Sequence, residues 1–166
     1  MPASDRELEH ASDQLADQLM EAGNTIVTAE SCTGGWIAKV LTDRAGSSAY
    51  VVGGLVTYSN AAKQRLLGVA GASLDNHGAV SEPVVREMVA GALATTGAGV
   101  AVAVSGVAGP GGGSDEKPVG TVWFAWGSSP ENTEAIVQHF TGNRDQVRRK
   151  SVLFALQGVS GFLKKA

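Results

Sequence analysis

The sequence predicts an α/β protein, a three-layer α/β/α sandwich around a mixed, mostly parallel sheet, and three observations carry that expectation. Amphipathic helical patterns alternate early in the chain with short apolar runs. The run Gly99 to Ser105 has no polar side, as a strand buried on both faces requires. Late in the chain, two strand-like runs flank the turn Ser128-Ser129-Pro130-Glu131-Asn132, which predicts an antiparallel hairpin. With 166 residues and 43% hydrophobic composition, one globular domain with a proper core is expected over 1–166.

Each element has its own signal. Ser4 and Glu7 have capping-box spacing, and Leu8, Ala11, Leu15 and Leu19 recur at helical intervals until Gly23 supplies a stop. Thr25 to Ala29 reads as a short buried strand, and Trp36 to Leu41 as a helix after the polar junction between them. Tyr50 to Tyr58 is Val-rich, with Gly53 and Gly54 predicting a bulge or a close backbone approach. Ser59 is placed to cap a helix carrying Lys63 on its second turn, with Leu66 and Leu67 inward. Ser81, Glu82 and Pro83 open another helix, whose apolar side is Val85, Met88, Val89 and Ala92. After a glycine-rich loop, Gly106 to Pro118, come the hairpin strands Thr121 to Trp126 and Thr133 to Phe140. A last helix begins near Asn143 or Asp145 and buries Val147, Phe154, Ala155 and Phe162.

Composition excludes several classes. A net charge of -3, from 13 basic and 16 acidic residues, does not suit a general nucleic-acid binder, which needs a dense basic surface. Cys32 is the only cysteine, so no intrachain disulfide forms and the thiol suits a reducing compartment. Met1 to His10 is polar and acidic, unlike a signal peptide, and no apolar run is long enough to span a bilayer. A soluble, cytoplasmic protein without membrane contact is expected. His10 and His139 are expected to face solvent and His77 to brace or line a pocket; none has metal-ligand spacing, so no metal and no cofactor is expected.

The chemistry centres on Thr28-Ala29-Glu30-Ser31-Cys32-Thr33-Gly34-Gly35-Trp36, where a strand gives way to a helix. Free N–H groups at such a junction suit a phosphate or a developing oxyanion. Ser31 or Thr33 could equally cap the helix, while Gly34 and Gly35 would let a substrate approach the backbone. In the long loop, Ser114-Asp115-Glu116-Lys117 matches Ser-x-x-Lys, but Pro118 denies it the helix start that motif needs.

Three further stretches accompany that tract: Val56-Thr57-Tyr58-Ser59-Asn60-Ala61-Ala62-Lys63, His77-Gly78-Ala79-Val80-Ser81-Glu82, and Ser105 to Pro110 running on to Glu116–Thr121. Together they resemble the C-terminal domain of the CinA competence/damage-inducible proteins, over roughly Leu8 to Leu163. The resemblance implies an α/β fold and a bacterial amidase that hydrolyses the carboxamide of nicotinamide mononucleotide (NMN). It also suggests a serine–lysine pair: Ser31 as nucleophile, Lys63 as general base, and Tyr58 relaying a proton or orienting the two. Spacing alone permits that pair without requiring it. Ser48, in the Gly46-Ser47-Ser48 part of the family pattern, Ser105 at a strand end, and Cys32 are the rival nucleophiles. Thr33, Gly34, Gly35, Ser48 and Ser105 are candidate substrate contacts, and the backbone N–H groups of Gly106, Ala108 and Gly109 are candidate anion donors. Arg144 is the first choice for a phosphate, ahead of Arg148 and Arg149. The expected partner is a small pyridine mononucleotide; Val51 to Val56 and the last helix are candidates for self-association. The competing reading is a non-catalytic nucleotide-binding or regulatory domain linked to competence or the DNA-damage response.

Overall fold

The computed structural model describes residues 3–165; Met1, Pro2 and Ala166, the ends of the expected domain, lie outside them. The sheet has the order β2-β1-β3-β4-β5. Its strands are β1 (Ile26–Glu30), β2 (Val51–Val56), β3 (Val100–Gly106), β4 (Thr121–Gly127) and β5 (Thr133–His139). β2, β1 and β3 are mutually parallel, and β4 runs against both β3 and β5, so only β4 is reversed. The expected mixed, mostly parallel sheet is the observed one.

Helices cover both faces. On one side lie α1 (Asp5–Ala22), α2 (Trp36–Thr42) and α6 (Arg144–Lys165). On the other lie α3 (Asn60–Leu67), α4 (Gly71–His77) and α5 (Glu82–Thr96). Strand alternation divides the core accordingly: in β1, Ile26 faces the first layer while Val27 and Ala29 face the second. Fully burying one such side chain contributes about 1.5–3 kcal/mol. The largest, Trp126, packs within 5.8 Å of Phe154, and its indole N–H donates to the Ala155 carbonyl at 3.0 Å. Gly158 makes room for that indole, which a Cβ there would strike.

The expected caps are present at α1, where Ser4 and Glu7 form a capping box and Gly23 ends the helix at φ 62°. Ser59 caps α3 by accepting from the Ala62 N–H at 3.0 Å. Ser81 differs: its hydroxyl donates to the Gly78 carbonyl at 2.7 Å instead of capping α5. Leu66 is 45% exposed rather than inward, because α3 turns only Lys63 and Leu67 toward the core. In β2 the register slips between Val51 and Gly53, a bulge, and Gly54 is the close approach: a Cβ there would lie 2.7 Å from Thr28 Oγ1. Val52 and Val56 of this edge strand are exposed. The short α4 was not foreseen. Among the described residues, no helix is long and apolar enough to cross a membrane.

Candidate active site

The parallel strands carry their C-terminal ends to one edge of the sheet, where open α/β sheets place ligands. Ser31 follows β1 directly, Thr57 and Tyr58 follow β2, and Ser105 and Gly106 end β3. The ladder continues past the strands on both sides: the Ser31 N–H donates to the Val104 carbonyl at 3.0 Å and the Thr57 N–H to the Glu30 carbonyl at 2.8 Å. Ser31 is therefore fixed between its neighbours before any side chain acts.

Lys63 reaches this point from α3. Its side chain is 1% exposed, and its Nζ lies 3.0 Å from Ser31 Oγ, 3.0 Å from the Thr57 carbonyl and 3.1 Å from the Tyr58 carbonyl. None of these acceptors carries a full negative charge. Burial accordingly lowers the lysine's pKa below its ordinary 10.5, and the opposing influence of Cys32 is the smaller of the two. A helix lysine is usually solvated; this one is inside because the α3 cap turns its second turn toward the end of β1. An uncharged amine has two N–H groups for the two carbonyls and one lone pair left for the Ser31 hydroxyl.

One cavity of about 240 Å³ opens onto this pair. It brings together Ser31, Tyr58, Lys63, Ser105, Gly106, Ala108 and Arg144 of the expected set, together with Cys32, Asn60, Ala79 and Val80. A larger cavity, about 1010 Å³, lies between α1, α2 and α6, but its cations are paired off: Lys39 with Asp43 at 2.8 Å, Arg44 with Asp17 at 3.1 Å, Arg149 with Asp5 at 2.5 Å. Of these two cavities, the smaller joins a hydroxyl to a buried amine among the described residues.

The other expected residues lie away from the cavity or meet it through other atoms. Ser48 is exposed in the 3-10 turn Ser47–Ala49 before β2, whose first residue pairs with the start of β1, so it lies at the far end of the sheet from Ser31. Thr33 is fully buried, and its hydroxyl donates to Glu30 Oε1 at 2.6 Å. Gly34 and Gly35 do not line the cavity; at φ 61° and 99° they shape the turn. Tyr58 touches the amine through its main-chain carbonyl, whereas its exposed phenol accepts from Arg144 Nη2 at 3.3 Å. Gly109 contributes its carbonyl, which accepts from Arg144 Nη1 at 2.9 Å. Arg148 serves the turn instead of the cavity, donating to the carbonyls of Cys32 at 3.0 Å and Thr33 at 3.2 Å. Burial pushes the Cys32 thiol up to about 12, so it holds its proton at neutral pH. His10, His77 and His139 are exposed, and the described residues contain no group of three metal-ligating side chains.

Sequence reasoning missed Asn60, Ala79 and Val80 as lining residues, although all three fall within the quoted stretches. It also gave Glu30 no role, and it offered Arg148 to a phosphate where the structure sets it on the turn carbonyls. For Glu30 a signal existed: a carboxylate closing an apolar strand must find donors.

Comparison with known proteins identifies the family. The model of the CinA C-terminal domain matches residues 8–163. The nicotinamide-nucleotide amidohydrolase PncC of Escherichia coli strain K12 is 54% identical over 154 residues, 93% of each chain. A CinA-like protein of Mycolicibacterium vanbaalenii is 53% identical over 144 residues, which cover 87% of this chain and 34% of that one. A crystal structure of a CinA superfamily protein from Klebsiella pneumoniae superposes with a TM-score of 0.92 at 40% identity, covering 96% of this chain and 99% of its own. On the strength of a family match across nearly its whole length, this chain belongs to the CinA C-terminal domain family.

Proposed function

We propose that this protein is a nicotinamide-nucleotide amidase that hydrolyses the carboxamide of NMN to nicotinate mononucleotide and ammonia, through an acyl-enzyme on Ser31. The observation that carries the mechanism is the buried Lys63 amine 3.0 Å from Ser31 Oγ with no carboxylate partner. The substrate comes from the 54% identity to PncC across 93% of both chains.

In the first half-reaction the Ser31 hydroxyl proton passes to the Lys63 lone pair as Oγ attacks the carboxamide carbon. The oxyanion is received by the Cys32 N–H, which has no main-chain acceptor among the described residues, and by the Ser105 hydroxyl across the cavity. Protonated Lys63 then returns its proton to the departing nitrogen, so ammonia leaves and a nicotinoyl ester stays on Ser31. In the second half-reaction Lys63 takes a proton from water, the hydroxide attacks the ester, and Ser31 recovers its hydroxyl. Arg144, oriented by the Gly109 carbonyl at the cavity wall, holds the phosphate. A cavity of 240 Å³ is below the usual ~300–1,000 Å³ of small-molecule sites. It encloses the pyridine carboxamide and leaves the phosphate at the rim, where Arg144 stands.

Purified protein incubated with NMN should release ammonia stoichiometrically with nicotinate mononucleotide, and Ser31→Ala should abolish release. Tight binding of NMN without release would instead support the non-catalytic, regulatory reading.

A further inference from the structure

We propose that Glu30 is a positioning residue whose negative charge sets the nucleophile turn, an inference that rests on the Ser31 reading above. Glu30 is fully buried and directly precedes Ser31. Its side chain turns away from Lys63, to the first-layer face of the sheet, and meets four donors. Oε1 accepts from the Thr33 hydroxyl at 2.6 Å and from the Ile37 N–H at 2.9 Å. Oε2 accepts from the Ala38 N–H at 3.0 Å and from the Thr28 hydroxyl at 3.2 Å.

This arrangement needs a carboxylate. Each oxygen faces a main-chain N–H, which can only donate. A glutamine has one acceptor oxygen, so in either orientation its amide NH₂ would be driven against the N–H of Ile37 or Ala38. The donors also span the turn: Thr33 lies inside it, and Ile37 and Ala38 begin the helix that follows. Bonds to one rigid group on β1 thus fix where the chain leaves the strand and where it re-enters regular structure. Between those points Arg148 holds the carbonyls of Cys32 and Thr33. The stretch carrying Ser31 is therefore tied by an anion at its N–H side and by a cation at its carbonyl side. Displacing a nucleophile by as little as about 1 Å can cost about a hundredfold in rate.

Thr28 and Thr33 allow a matched test. Each donates one hydroxyl to the same buried carboxylate, but only Thr33 is part of the turn. Thr33→Val should lower kcat for ammonia release at least tenfold with KM within twofold, Thr33→Ser should restore it, and Thr28→Val should stay within threefold of wild type. Glu30→Gln should lose at least a hundredfold in kcat while retaining the wild-type circular dichroism spectrum. The rate of Ser31 labelling by a fluorophosphonate probe, read by mass spectrometry, should fall in the same order. Equal losses in Thr28→Val and Thr33→Val, or Glu30→Gln with wild-type kcat, would overturn the proposal. If Glu30→Gln does not fold, the threonine pair decides. A wild type that labels at Ser31 but leaves NMN intact would overturn the substrate alone, and the labelling order would still test Glu30. A wild type inert in both assays would remove the Ser31 reading and this proposal with it.

Discussion

Replacing Lys63 with Met isolates the role of the amine, because Met has similar length and no proton to exchange. A general base contributes about 10²–10⁴-fold, or about 3–5 kcal/mol of barrier. Lys63→Met should therefore lower kcat by about that factor in an ammonia-release assay. Ser31→Ala combined with Lys63→Met should be no slower than Ser31→Ala alone, since the two act as a unit. The pH dependence carries the sign. In the proposed mechanism the deprotonated amine is the active form, so wild-type kcat/KM should rise about tenfold per pH unit and level off at a value below 10.5, the direction in which burial moves this lysine. Stability follows the same shift: the unfolded chain binds the lysine proton more tightly than the folded one, so stability is greatest above 10.5 and is lost as pH falls through the depressed folded value. Urea midpoints of Lys63→Met should lack that slope. A Lys63→Met enzyme within tenfold of wild type, with the same pH limb, would refute the reasoning.

Four other outcomes are expected. Cys32→Ala should keep kcat within about threefold, because a thiol with a pKa of about 12 supplies no thiolate at neutral pH; complete loss would reinstate it as nucleophile. Arg144→Ala removes a charge-assisted contact of about 1.5–3 kcal/mol, raising the KM for NMN about 10–150-fold, with little change for phosphate-free nicotinamide riboside; equal effects on both would place the phosphate elsewhere. Tyr58→Phe should stay within about threefold in kcat, since the amine is held by the Tyr58 carbonyl and the phenol meets only Arg144; a hundredfold loss would restore the proton relay. Gly158→Ala pushes a methyl into the Trp126 indole and should cost about 1–3 kcal/mol in urea unfolding, with the Michaelis constants unchanged.

How much of this was legible follows from which residues signal locally. Ser4, Glu7 and Gly23 announce α1 because caps are short-range chemistry, and Val100 to Val104 announce a central strand because burial on both faces excludes polar side chains. The hairpin between β4 and β5 was equally open to reading. The failures are non-local. Thr33 and Ser31 look alike in sequence, and only the placement of Glu30 sends one hydroxyl inward while the other faces the cavity. Ser48 shares the family pattern, yet parallel pairing of β1 with β2 puts the start of β2 opposite the start of β1 and so removes it from the site. Tyr58 lies beside Lys63 as expected, but it meets the amine through its carbonyl, and no sequence pattern tells a carbonyl contact from a phenol contact.

The separation of Glu30 from Lys63 ties these features to function. A buried carboxylate and a buried amine at the end of one strand would ordinarily pair, and pairing would raise the lysine's pKa and keep it protonated. Here the carboxylate is spent on two hydroxyls and two main-chain N–H groups toward α2, whereas the amine enters from α3 and meets only neutral oxygens. Among the described residues, no Asp or Glu lines the cavity. The strand between the two groups therefore acts as an insulator: one face spends its charge on fixing the turn, and the other keeps an amine free to lose its proton. Moving a carboxylate into the cavity, at Ala79 for example, would supply the missing counter-ion and should silence the enzyme at neutral pH while leaving every residue of the pair in place.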